Sequence, residues 1–327
     1  GEVRSFLQSC ANYWLRTFHF DGLRMDAISR IIYWHGDEKR GVNGNAVDFI
    51  KYMNQGLKDR NPGCFLAAED STNFSNVTKS VSEGGLGFDY KWDMGWMHDT
   101  LSYFQMSPDD RYNNYHKLTF SMMYYYNEKF LLPLSHDEVV HGKATILQKM
   151  YGDYDIKFPQ ARAFYMYMMV HPGKKLNFMG NELGQFREWD EKREQDFMLL
   201  DFPIHRAFNN YIADLNKNYL SHSAFFGKEY DYDGFKWLDC NSPDRLMYSI
   251  LREDNKSRIF AIFNFSKYEQ IDYRIELPDN KGVNILMNSD WKCYGGNADE
   301  NNVFWHIDGN TLTCTMPRFS AALFELK

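Results

Sequence analysis

The chain has 327 residues, 44% apolar and 25% charged, enough for one large domain or two of middle size around a substantial core. A net charge of −7 argues against a nucleic-acid partner, which would favour a basic face. The longest apolar run, FYMYMMV, is too short to span a bilayer, so no membrane role is expected.

The first residues already read as helix. Val3, Phe6, Leu7, Cys10, Ala11, Trp14, Leu15 and Phe18 recur at spacings of three and four, one helical face. No initiator Met or basic leader precedes them, so the chain is expected to be a fragment of a longer polypeptide. A strand is expected over about 18–24, then a helix with Val47, Ile50, Met53 and Leu57 on one face, stopped by Asn61-Pro62-Gly63. CFLAAED (64–70) and LGFDYKW (86–92) read as strands. A helix is expected around 111–126, a strand at FLLPLSHDE (130–138), a helix at 159–171 ending in His171-Pro172-Gly173, and a strand at KKLNFMGNE (174–182). Alternating strand and helix predicts parallel strands with helical crossovers, an α/β architecture. Beyond about residue 220 the texture changes to short strands (LMYSILRE, SRIFAIFNFS, QIDYRIELP, TLTCTM, SAALFELK) between Asp, Asn, Gly and Pro. An α/β domain over 1–220 and an all-β domain over 221–327 are expected.

Five cysteines (Cys10, Cys64, Cys240, Cys293, Cys314), odd in number and without CxxC spacing, read as free thiols of a reducing compartment, hence a cytoplasmic protein. Aromatics reach 17%, mostly core, yet flat rings also suit the apolar faces of sugars.

Chemistry gathers at strand ends. In FDGLRMDA (20–27), Arg24 and Asp26 close a short apolar run, FLAAED closes on Glu69, LLPLSHDE on His136, Asp137 and Glu138, and LNFMGNE on Glu182. In parallel α/β folds the carboxyl ends of strands face a common crevice or barrel mouth. Any one such Asp could be a helix cap, but three carboxylates with an Arg and a His alongside suit either divalent-metal binding or glycosyl transfer. Arg24 and Asp26, two apart, share one strand face, so the arginine can hold the aspartate ionised. No DxDxDG loop, HExxH or Cys/His cluster appears, which favours glycosyl transfer.

These segments resemble a known family. GLRMDA (22–27), AAEDST (67–72) and LSHDEVVHGK (134–143) are similar to three signatures of the α-amylase superfamily. With MGNELGQFREWD (179–190) and DYDGFKWLDCNSPD (231–244), they resemble the glycogen and starch branching enzymes specifically. The resemblance implies the second part of a (β/α)8 TIM-type barrel followed by a C-terminal β-sandwich domain. It implies Asp26 as nucleophile, Glu69 as general acid/base and Asp137 as transition-state stabiliser, supported by Arg24 and His136. Glu138 and His141, in the most branching-like segment, are expected at substrate subsites or in packing near the mouth. The implied reaction cleaves an α-1,4 bond of a glucan donor and transfers the chain to a 6-hydroxyl of a glucan acceptor. It uses no cofactor and no metal and is performed by a monomer. A hydrolase of the same superfamily and a non-catalytic glucan-binding fragment are the alternatives. The family's Asp-x-x-x-Asn-His segment is absent, five strands are counted where the barrel has eight, and Asp70 stands where Glu is more usual.

Other residues have plainer readings. Trp92 and Trp96 read as core or, less simply, a sugar groove, and Glu182 and Gln185 as loop hydrogen-bonding groups. His35, His98, His116 and His171 read as structural, residues 190–194 as a solvated helix face, and Gly84-Gly85-Leu86-Gly87 as a plain loop.

Overall fold

The computed structural model describes residues 1–327 and divides into two compact units. The first comprises residues 1–96 and 121–133, the second 97–120 and 134–327.

The first unit opens with α1 (Glu2–Thr17) and β1 (Gly22–Met25). After the single turn α2 (Ser29–Ile32), α3 (Gly44–Arg60) is capped by Asn43, whose side chain accepts from the Ala46 amide at 3.3 Å. It crosses over to β2 (Phe65–Ala68), then β3 (Tyr90–Trp92), and β4 (Phe130–Leu134). The four strands stand in chain order and pair in parallel, Gly22 against Phe65, Ala67 against Tyr90 and Lys91 against Phe130. Ile28, Ile32, Ile50, Leu57, Leu66 and Phe88 form the core beneath β1 and β2. The strands are shorter than the sequence suggests, and the one expected over 130–138 ends at Leu134, giving way to a 3₁₀ turn over His136–Val139. Phe18 and Phe20 stay exposed ahead of β1, and Leu86 and Phe88 bond back to Asn76 and Val77 instead of extending β3.

Helix α4 (Met94–Gln105) follows β3. The helix expected at 111–126 is instead three short 3₁₀ pieces, Tyr112–Leu118, Phe120–Met123 and Tyr125–Asn127. Within the second unit Tyr115 and Leu118, three apart, are both buried, which a three-residue turn serves better than a 3.6-residue one. Tyr115 stacks on Tyr248 at 4.2 Å and its hydroxyl donates to the Met247 carbonyl at 2.6 Å. These tertiary contacts outweigh helix periodicity.

In the second unit α5 (Ile146–Lys149) and α6 (Tyr154–Val170) precede β5 (Lys174–Asn177) and α7 (Pro203–Ser221). From Ala161 to Val170 every residue of α6 is buried, the mark of a helix covered on all sides. It packs on α7 and on two strands of the β-domain, β8 (Arg258–Asn264) and β13 (Ser320–Leu326). Residues 190–194 form turns, not the expected helix face. Arg187 is drawn to Asp196 (2.8 Å) and to the Glu194 carbonyl (2.6 Å), folding the segment back on itself.

The remaining strands are β6 (Phe235–Ser242), β7 (Met247–Glu253), β9 (Gln270–Glu276), β10 (Val283–Asn288), β11 (Trp305–Asp308) and β12 (Thr311–Met316). They form antiparallel sheets of order β10-β13-β8-β7-β6 and β11-β12-β9. Phe260, Ile262 and Phe324 from one sheet meet Tyr273, Ile275 and Leu312 from the other, the filling of a sandwich.

Candidate active site

In the first unit β1 and β2 deliver their charged ends side by side because the parallel ladder runs past the strands. The Glu69 amide donates to the Met25 carbonyl at 3.0 Å, and the Ile28 amide to the Glu69 carbonyl at 2.9 Å. Asp26 and Glu69 are therefore neighbours across the ladder, and Arg24 stands between them. Its Nη1 donates to Asp26 Oδ1 at 2.9 Å and to Glu69 Oε2. Two oxygens bonded to one nitrogen lie within two hydrogen-bond lengths of each other, about 6 Å at most. The guanidinium rests on the Trp92 ring, 4.6 Å from its centre, so the buried Trp92 supports the arginine from below. The side chains differ in access, Asp26 at 75% exposed and Glu69 at 17%, so only the first meets solvent freely.

Beneath this pair lies a buried ion pair. Lys91 Nζ donates to Asp70 Oδ2 at 2.8 Å and to the Thr72 carbonyl at 2.9 Å, while Asp70 Oδ1 accepts from the Thr72 amide and hydroxyl. The residue following Glu69 is thus anchored on both carboxylate oxygens. The sequence raised Asp70 only as a departure from a pattern and passed over Lys91. An isolated lysine in a short strand gives no signal until its partner is placed.

In the second unit the residues after β4 surround a cavity of about 530 Å³. His136 and Asp137 line it, with Nε2 and Oδ1 at 3.3 Å, and so does His141. The His136 ring meets Trp189 edge-on at 6.4 Å and Phe178 at a tilt at 5.9 Å, and those two rings pack on each other at 5.3 Å. Glu138 faces inward instead: it is buried, with Lys143 Nζ at 3.8 Å from its carboxylate. The opposite wall is the segment 187–193, including Arg187, Glu188 and Trp189. Its first residues close MGNELGQFREWD (179–190), in which the sequence assigned Arg187, Glu188 and Trp189 no individual role. Glu182 accepts from the Gly180 amide at 2.9 Å, and Gln185 is buried. His171 is buried, its Nδ1 at 2.7 Å from the Pro172 carbonyl. Trp96 is core.

No group of three or more His, Cys, Asp or Glu side chains is arranged to hold a metal ion. No helix is long and apolar enough to cross a membrane.

Residues 237–327 match the family described as "Alpha amylase, C-terminal all-beta domain". The chain is 42% identical over 344 aligned residues to 1,4-alpha-glucan branching enzyme GlgB 1 of Clostridium perfringens (strain SM101 / Type A), covering 99% of this chain and 51% of that protein. It is 42% identical to the GlgB branching enzyme of Bacillus cereus (strain G9842), covering 92% of this chain and 47% of that one. The chain thus spans about half the length of the curated relatives it matches. Among solved structures, a Nostoc punctiforme debranching enzyme superposes with a TM-score of 0.69 at 16% identity, covering 99% of this chain and 62% of its own. An alpha-amylase from H. orenii gives 0.66 at 15% identity, covering 100% and 64%. These two share the fold.

Proposed function

We propose that the chain, 42% identical over nearly its whole length to about half of two 1,4-alpha-glucan branching enzymes, belongs with them and supplies the catalytic carboxylates of such an enzyme. Asp26 attacks the anomeric carbon of a linear α-1,4-glucan while Glu69 protonates the departing oxygen. The resulting glucosyl-enzyme is then attacked by a 6-hydroxyl of an acceptor chain, Glu69 taking its proton, and an α-1,6 branch results. A retaining mechanism of this kind wants carboxyl groups roughly 5–5.5 Å apart, whereas an inverting one leaves a wider gap for water. The observation that supports the reading is the shared Arg24 nitrogen, which holds one oxygen of Asp26 and one of Glu69 within about 6 Å of each other, close enough for both to act at one glycosidic bond. Arg24 also keeps Asp26 oriented for attack. Asp137 and His136 grip sugar hydroxyls, and His141 contacts the chain beyond them. Glu138, turned inward to Lys143, supports the loop from within. We place the change from the catalytic part to the sandwich near residue 220, between α7 and β6, within the second unit.

We further propose a cytoplasmic, monomeric protein acting on α-1,4-glucan as donor and acceptor. The odd set of unpaired cysteines supports the reducing compartment. The deciding experiment is proton NMR of a long linear α-1,4-glucan incubated with the protein, with Asp26→Asn as control. A new α-1,6 anomeric signal, lost in the variant, is expected. New reducing ends without that signal would assign a hydrolase, and glucan affinity indifferent to Asp26→Asn with no turnover would assign a binding role.

A further inference from the structure

The loop that carries His141 is held in an unfavourable backbone conformation by one carboxylate. His141 and Ala144 have φ of 58° and 68°, and Gly142 between them has 78°. Left-handed backbone is unfavourable for a non-glycine residue and persists only where the surroundings impose it. Here Glu188 imposes it. Its Oε2 accepts from the Gly142 amide at 2.9 Å and its Oε1 from the Ala144 amide at 2.7 Å, a two-pronged grip on alternate residues. These amides hold the Glu188 carboxyl below the usual carboxylate range. Glu188 is itself fixed, because the next amide, that of Trp189, donates to the Val139 carbonyl at 3.0 Å. From the other side Lys149 Nζ donates to the carbonyls of Lys143 and Ala144. The loop is clamped, yet its residues 141–143 are exposed and bury nothing that would explain the clamp. What the clamp does set is the distance between two cavity walls, His136, Asp137 and His141 on one and Arg187 to Arg193 on the other.

We propose that Glu188 is a positioning residue that holds His141 at the cavity width needed to receive a glucan chain beside Asp137. The ligand's identity rests on the branching-enzyme reading; the grip does not. Losing the carboxylate frees the strained loop to leave its left-handed conformation. Apparent affinity then falls by the fraction of molecules that still hold the competent arrangement.

The test pairs two readouts in one set of variants. Amide hydrogen exchange at Gly142 and Ala144 is followed in the whole chain, and maltoheptaose affinity is measured by titration calorimetry in an Asp26→Asn background, where nothing turns over. Glu188→Ala is expected to speed exchange at both amides by at least about tenfold, the loss of a charge-assisted hydrogen bond, and to weaken affinity by up to the same factor. Glu188→Gln, with one oxygen left to accept, falls between. Asp155→Asn, an exposed carboxylate of the same unit outside the cavity lining and with no bond to the loop, changes neither. Unaltered exchange in the amides of β7 and β8 shows that the fold survives. Unchanged exchange at Gly142 and Ala144 in Glu188→Ala overturns the grip, and faster exchange with unchanged affinity overturns its bearing on the subsite. A chain that binds no maltoheptaose with Glu188 intact counts against the glucan reading of the site, and the exchange data still decide the grip.

Discussion

Lys91→Met tests the least visible support of the site. Lys91 and Asp70 are 7% and 0% exposed at their side chains and 2.8 Å apart, and Asp70 directly follows Glu69. Removing the ammonium leaves a carboxylate with only Thr72 to satisfy it and orphans the Thr72 carbonyl. Breaking a buried pair from one side costs about 3–5 kcal/mol, whereas replacing both members with apolar groups is often near neutral. Asp70→Leu alone strands Lys91 and costs a similar amount. The double variant Asp70→Leu/Lys91→Met loses chiefly the Thr72 hydrogen bonds, roughly 1–2 kcal/mol. The two changes therefore couple by at least about 2 kcal/mol. Native-state hydrogen exchange at the amides of β2 and β3 reports this unit alone. Each single variant should exchange there on the order of 10²- to 10⁴-fold faster, and the double far less so. A cost below about 1 kcal/mol for Lys91→Met, or simple additivity in the double, would refute the argument that the pair is desolvated and mutually dependent.

Three further outcomes are expected. Arg24→Leu removes charge-assisted hydrogen bonds from both carboxylates and should lower α-1,6 bond formation by about 10²-fold or more in the NMR assay, with Arg24→Lys only partly restoring it, since an ammonium matches neither the fork nor the Trp92 face. Burial pushes the His171 imidazole down to about 3, so between that value and its unfolded pKa near 6.5 the unfolded chain binds the extra proton; stability present above pH 6.5 is lost as pH falls, by up to about 1.4 kcal/mol per unit, and urea midpoints at pH 6.5 and 4.5 should converge in His171→Gln. Among the thiols, the exposed Cys10 should react promptly with iodoacetamide at pH 8, Cys293 slowly because desolvation and Glu300 raise it to about 11, and the buried Cys314, raised to about 12, not at all, as peptide mapping would report.

The division between what was readable and what was not follows from the range of the forces involved. Arg24, Asp26, Glu69, His136 and Asp137 were legible as strand-end residues because each closes a short apolar run, and a buried strand tolerates an unpaired charge only where it ends. The sandwich strands were legible because alternation and turn residues are local. The helix expected at 111–126 failed for a tertiary reason: Tyr115 is committed to Tyr248 and Met247, more than a hundred residues away. The run 190–194 failed likewise, since Arg187 folds it into turns through Asp196 and the Glu194 carbonyl. The sequence by itself determined which residue types stand at strand ends, which is a matter of hydrophobic patterning within a few positions. Only the tertiary structure decided that one Arg24 nitrogen serves two carboxylates, that Lys91 underpins Asp70, and that Glu188 clamps the His141 loop. Those are pairings across 45, 21 and more than 40 residues, and no local pattern encodes a partner that the fold has yet to deliver.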